Sequence, residues 1–317
     1  MPPPGYPGRM VKWLVIGIGD ITRKRVIPAI LSEPRSELYG LLTRDPSKAQ
    51  TYAPARVFTS LEDALSDPAI DAVYVASPAA LHAPQTIASL RAGKHVLGEK
   101  PAAMNYAEAE SMTQCAHASG RLWGIAYYRR LYPKLLRTCQ LIAEGAIGQP
   151  VLAEANCHSW LPIQERSWLW DPALSGGGPL YDIASHRIDA LNFLFGRPTR
   201  ATGLRSNAVH KLAVEDSATV LIDYPSGVHG IVDVRWNSHI DRDQFRVIGT
   251  DGEINLDPLN GPLLRCGGRE ESLPAHANLH FPAIENFVSA VLDGAPLMCA
   301  GDEAIWTDWV TEEVMKG

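Results

Sequence analysis

From Val11 to about Tyr128, short apolar runs alternate with stretches of helical period. "VKWLVIG" reads as a buried strand, "DITRKRVIPAILS" as a helix and "ELYGLLT" as a second strand. "TSLEDALSD" follows as a helix whose Ser60 and Asp63 have the spacing of a capping box. The alternation continues through the strand "DAVYVAS", the helix "AALHAPQTIASLRAG" ending at Gly93, and the strand "KHVLGE". A helix opened by Asn105, "NYAEAESMTQCAHASG", and the strand "RLWGIAYY" close the series. Each crossover helix must pass over a sheet face, so interleaving predicts parallel pairing with both faces covered. The first domain, residues 10–130, is therefore expected to be α/β and doubly wound.

After a helix at "YPKLLRTCQLIAEG" the period changes to two. In "GVHGIVDVRWNS", Val228, Val232, Val234 and Trp236 fall on one face and His229, Ile231, Asp233 and Arg235 on the other. "SATVLIDY" joins this strand through "PSG", and "FRVIGTDGEINLD" turns around "TDG", both hairpin signals. Residues 131–317 are thus expected to form an α/β domain with a large, mostly antiparallel sheet, closed by helices at about 280–293 and 302–315. Its half-polar face suits solvent or a second subunit, and a homo-oligomer, dimer or tetramer, is expected.

With 317 residues the chain exceeds what one core usually supports, in agreement with two domains. The net charge of −6 is spread without a basic block, which argues against nucleic acid or an anionic membrane as partner and leaves a small molecule. Cys115, Cys139, Cys157, Cys266 and Cys299 are odd in number and lack a C-x-x-C pair. They are expected to be buried thiols in a reducing compartment rather than a zinc knot or disulfide framework. The start, "MPPPGYPGRM", has no apolar core of a signal peptide, and no later run approaches bilayer length. A cytoplasmic protein with a loose tail over its first nine residues is expected.

Three clusters carry candidate chemistry. "GIGDIT" lies between the first strand and first helix, the context in which G-x-G-x-x-G cradles a dinucleotide pyrophosphate. Gly17, Ile18, Gly19, Asp20 and Ile21 would form that cradle, although Thr22 replaces the third glycine. The second strand ends "LLTRD", where Thr43 takes the discriminating place and Arg44 can meet a 2′-phosphate, so NADP is favoured and NAD is the alternative. Ser77 with Pro78, and Glu99 with Lys100 and Pro101, sit at the carboxyl ends of the next two strands, where ligands of open α/β sheets bind. The third cluster is "SGGGPLYDIASHRID", in which Asp182, His186 and Asp189 share a helical stripe. That stripe fits a simple intrahelical pair, a site approached closely through bare glycine backbone, or a metal site. The last is short of ligands, and no metal is expected.

In these motifs the chain resembles the Gfo/Idh/MocA family of pyridine-nucleotide oxidoreductases. The likeness covers "GIGDIT", "SPAALHAPQTIASLRAGKHVLGEKP", "YYRRLYP", "EGAIGQP", "GGGPLYDIASHRIDALNFLFG" and "GTDGEINLD", in the family's order. It implies a Rossmann domain followed by a mostly antiparallel α/β domain. Lys100 then matches the family's catalytic lysine, and Asp182 and His186 match the acidic residue and histidine that face it. His82 aligns near the cofactor, while Tyr128 and Arg129 approach the nicotinamide end. Thr22 and Ala184 depart from the family's usual small residues without removing a chemical group. The implied activity is hydride transfer between NADP(H) and a secondary alcohol or carbonyl of a sugar, cyclic polyol or dihydrodiol. Some relatives retain the nucleotide and cleave glycosidic bonds through transient oxidation, and a non-catalytic nucleotide sensor is a third alternative. Trp160, Trp168 and Trp170 read either as sugar-stacking surfaces or as core, and His158 is equally open.

Overall fold

The computed structural model describes residues 8–165 and 167–317. Most of the Pro- and Gly-rich tail, residues 1–7, lies outside the described residues. Six strands form one parallel sheet: β1 (Val11–Ile16), β2 (Ser36–Leu42), β3 (Arg56–Phe58), β4 (Ala72–Val75), β5 (His95–Gly98) and β6 (Trp123–Ile125), in the order β3-β2-β1-β4-β5-β6. The order reverses beside β1, which places a crevice at the carboxyl ends of β1 and β4. β1 is buried at five of its six positions because helices cover both sheet faces. The hydrophobic pattern does not predict β3, a three-residue edge strand whose "RVF" carries no usable period. The expected cap at Ser60 is present, its hydroxyl accepting from the Asp63 amide at 3.2 Å.

The chain divides into two compact units, and the division corrects a single cut at residue 130. His276–Asp302 belongs with the first unit rather than with the sheet that precedes it. The helix Phe281–Asp293 packs Ile284, Phe287 and Val288 into the core of the parallel sheet, among Trp13, Ile27, Ile30 and Tyr74. Phe287 meets Trp13 with ring centroids 5.3 Å apart. A period of 3.6 identifies a helix's apolar face but not the sheet that the face covers.

The second unit contains β7 (Pro150–Trp160), β8 (Arg200–Ser206), β9 (Ser217–Asp223), β10 (His229–Arg235), β11 (Asn237–Gly249), β12 (Glu253–Asn255), β13 (Leu263–Cys266) and β14 (Arg269–Ser272). They lie in the order β14-β13-β12-β11-β7-β10-β9-β8, and every pair is antiparallel except β10 with β7. Val228, Val232, Val234 and Trp236 are buried on the face that helix Ser185–Phe195 covers, with Leu191 against Gly230. His229, Ile231, Asp233 and Arg235 occupy the opposite face, which is open and mixed in character. Of the five thiols only Cys299 is buried, and the other four are half-buried and unbridged. No helix among the described residues is long and apolar enough to cross a membrane.

Candidate active site

In the first unit, the turn after β1 is built to bring backbone forward. Gly17 takes φ +91°, and a Cβ there would stand 2.8 Å from the Ala76 carbonyl oxygen, so glycine is required by the neighbouring strand end. A Cβ on Gly19 would meet nothing within 4 Å, which leaves that backbone open to a ligand. Thr22 is buried and donates its hydroxyl to the Gly19 carbonyl at 2.8 Å, which accounts for its tolerance in place of the third glycine. The turn therefore fits a pyrophosphate at the start of the first helix. Ile18 is buried and Ile21 exposed, whereas Asp20 pairs with Arg23 at 2.8 Å and Lys24 at 3.3 Å, contacts that hold its carboxyl below the ordinary range. After β2, Thr43 exchanges hydrogen bonds with Asp45. Asp45 then turns its carboxylate to the Ser47 hydroxyl and amide, at 2.6 and 3.1 Å, which lower its pKa and cap the next helical turn. Arg44 is exposed between them.

The turns after β4 and β5 are joined through a buried histidine. Nδ1 and Nε2 of His82 each lie 2.8 Å from a carbonyl oxygen, of Pro101 and of Ser77 respectively. A neutral imidazole can donate to only one of them at a time. Burial pushes His82 toward that neutral form, against the pull of the two carbonyls. With both nitrogens engaged and the ring buried, His82 supports the Ser77-Pro78 and Glu99-Lys100-Pro101 turns from behind. The Ser77 hydroxyl donates to Gln85 at 2.7 Å. Lys100 is half-buried and precedes a cis bond to Pro101. The Glu99 carboxylate is buried and accepts from the Tyr74 hydroxyl at 2.8 Å and from His280 Nε2 at 3.1 Å.

In the second unit, Asp182 lies on the helical turn Leu180–Ala184, and His186 on the helix that continues it, Ser185–Phe195. Asp182 is half-buried and His186 buried. Asp189, the third member of the stripe, serves the fold instead. It is fully buried against the Arg130 guanidinium, with contacts of 2.7, 3.0 and 3.1 Å. Arg187 reaches Asp243 at 2.8 Å, and Asp243 also receives the amide of Asn260 at 2.8 Å. Arg129 is buried and donates to Asn260 at 3.0 Å, so it belongs to this network and to the second unit.

The three glycines before Asp182 answer to their own chain. Cβ atoms on Gly176 and Gly177 would strike the Tyr181 ring at 2.7 and 2.5 Å, and one on Gly178 would lie 1.9 Å from the Glu215 carbonyl oxygen. The buried Glu215 carboxylate accepts from the Gly178 and Leu180 amides, the latter at 3.0 Å, and so caps this helix start from 35 residues away. Intramolecular packing thus accounts by itself for the bare backbone that the sequence suggests is there for a ligand. Trp170 is core, edge-on to Trp236 at 5.2 Å. Trp160 is 37% exposed and stacks on His239 at 4.1 Å, while Trp168 is exposed. His158 pairs with Asp233 at 2.8 Å and lines an open cavity of about 570 Å³ with Asp241 and Asp257.

A parallel sheet with a glycine turn after its first strand, together with a second α/β unit, defines a two-part nucleotide-binding protein. The family model described as "Oxidoreductase family, NAD-binding Rossmann fold" matches residues 11–127, and "GFO/IDH/MocA C-terminal domain" matches residues 135–255. The chain belongs to the Gfo/Idh/MocA family and is an NAD(P)-dependent oxidoreductase. It is 31% identical over 311 residues to the 1,5-anhydro-D-fructose reductase of Ensifer adhaerens, covering 94% of this chain and 93% of that one. To the D-xylose 1-dehydrogenase [NADP(+)] of Haloarcula marismortui it is 28% identical, over 78% and 72% of the two chains. The crystal structure of an aldose-aldose oxidoreductase from Caulobacter crescentus, complexed with glycerol, superposes with a TM-score of 0.86 over 97% of each chain at 24% identity, a likeness of fold.

Proposed function

We propose that this protein transfers hydride reversibly between NADP(H) and a secondary alcohol or carbonyl carbon of a sugar, cyclic polyol or related diol. The reading is carried by one observation: the open backbone at Gly19 shares a unit with the Glu99-Lys100-Pro101 turn at the end of β5. The relatives named above bear 1,5-anhydro-D-fructose and D-xylose in their names, which supports a sugar-like substrate. NADP is favoured because the Asp45 carboxylate is committed to Ser47 and leaves ribose hydroxyls without that acceptor, while Arg44 stands exposed for a 2′-phosphate.

When bound, the nicotinamide supplies or accepts the hydride. His186 takes the hydroxyl proton in oxidation and returns it in reduction, a role suited to an imidazole, whose ring nitrogen can accept and give back a proton. Lys100 donates a hydrogen bond to the reacting oxygen and stabilises its developing charge. Asp182, four residues before His186, orients the imidazole or a substrate hydroxyl. Gly17, Ile18, Gly19, Asp20 and Ile21 hold the pyrophosphate, and Thr43, Arg44, Ser77 and Pro78 line the nucleotide. Self-association through the open sheet face accompanies this reading, since Leu204 and Leu221 are 81% and 49% exposed there. Sedimentation of wild type and Leu204→Glu tests it. For the chemistry, Lys100→Met and His186→Ala should each lower kcat about 10²- to 10⁴-fold with cofactor affinity little changed. Undiminished turnover in both refutes the scheme, and tighter binding of NADH than NADPH refutes the cofactor preference.

A further inference from the structure

The buried carboxylate beside the proposed catalytic lysine is held by a residue that no motif marks. Glu99 is fixed by its backbone, its amide donating to the Val75 carbonyl at 2.8 Å, so its side chain points into the unit with little freedom to leave. A carboxylate in such a place needs donors, because a buried anion without hydrogen bonds forfeits its hydration and gains nothing in return. Two donors are supplied, the Tyr74 hydroxyl at 2.8 Å from β4 and His280 Nε2 at 3.1 Å from the segment that returns to this unit.

His280 is itself held for that purpose. Its ring is buried at 2% exposure and lies against Tyr128, with centroids 4.7 Å apart. Its amide donates to Asn278 Oδ1 at 3.1 Å, and the Asn278 side chain donates in turn to the Arg25 carbonyl at 2.8 Å, on the helix that follows the glycine turn. Nδ1 of His280 is buried and has no hydrogen-bond partner among the described residues. A bare ring nitrogen is a smaller penalty there than an unsatisfied N–H, so the arrangement selects the tautomer with its proton on Nε2, aimed at Glu99.

We propose that His280 is a positioning residue which, with Tyr74, keeps the Glu99 carboxylate ionised and fixed in the Glu99-Lys100-Pro101 turn, so that Lys100 works beside a permanent anion. The role given to Lys100 rests on the function proposed above. The ionisable groups around the carboxylate are Tyr74, His280, Lys100 and His82, with Cys299 and Tyr128 facing Tyr74. Burial alone would raise Glu99, but the hydrogen bonds from His280 and the Tyr74 hydroxyl, with the charge of Lys100, together bring its carboxyl below the ordinary value.

Infrared titration of the full-length protein tests the proposal, with Glu99 assigned as the carboxyl band missing in Glu99→Gln. In His280→Leu the band should protonate about one pH unit or more above its wild-type position, because the carboxylate loses a donor while staying buried. His280→Gln keeps an N–H donor and should titrate with the wild type. Tyr74→Phe removes the other donor and should shift in the same direction as His280→Leu, so it carries the test if the leucine variant does not fold. In turnover assays run in the direction of carbonyl reduction, where protonated His186 is the active form, the acid limb of kcat should move with the band while NADPH affinity stays within about twofold, as a factor of two is under half a kcal/mol. Identical Glu99 titration in all these proteins, or a kcat loss in His280→Leu that is uniform across pH, overturns the proposal. A band that moves in a protein without NAD(P)-linked turnover on any sugar or diol supports the hold on Glu99 and removes the functional reading instead.

Discussion

Alanine at position 178 separates the two explanations of the triple glycine. The added Cβ would stand 1.9 Å from the Glu215 carbonyl oxygen, 3.0 Å from its carbon and 3.2 Å from Cδ of the same side chain. An ordinary C···O contact needs about 3.3 Å, so the two backbones must part by roughly 1.4 Å. Overpacking of that kind costs about 1–3 kcal/mol. Moving Glu215 also loosens the bonds it accepts from the Gly178 and Leu180 amides, a cap of about 1–2 kcal/mol. The sum is about 2–5 kcal/mol, and at about 2–4 °C per kcal/mol for a unit of this size the melting temperature should fall by roughly 10 °C. Scanning calorimetry reads the shift, and urea unfolding checks that it reflects stability. A Gly178→Ala protein that melts with the wild type but no longer binds substrate would refute the packing account and restore the ligand as the reason for bare backbone.

Gly19→Ala is the complementary case: with open space around the new methyl group, stability should stay within about 0.5 kcal/mol, while cofactor affinity measured by calorimetry falls about tenfold or more. An unchanged affinity would mean that no phosphate approaches this turn. Asp189→Asn should destabilise by about 3–5 kcal/mol in urea, because it leaves the Arg130 cation buried without its main partner. A normal unfolding curve with abolished turnover would instead place Asp189 in the chemistry. Burial and the nearby Arg121 push His95 down to about 4, and its Nδ1 accepts from the Leu122 amide at 3.1 Å. A histidine whose folded pKa is depressed lends stability above its unfolded value near 6.5 that is lost as pH falls toward 4. Unfolding midpoints should therefore drop across that window in wild type and less so in His95→Gln, and parallel profiles would refute the assignment.

Whatever depends on neighbours a few residues apart could be read from the chain alone. Alternating strands and helices marked the doubly wound unit, period two marked the faces of β10, and glycine spacing located the turn after β1. The place of Lys100 just past β5, and of Asp182 and His186 on one helical stretch, could be read because each sits inside a local motif. Pairings across the chain were not legible, since apolar periodicity states that a face is buried without stating what covers it. The return of His276–Asp302 to the first unit is of this kind, as is the parallel match of β10 to β7. The folded arrangement likewise settled which polar groups answer one another. Glu215 stands over Gly178, Arg130 claims Asp189, and His280 reaches Glu99 from 181 residues away. A buried charge must find its partner wherever the fold supplies one, and no short-range pattern records where that will be.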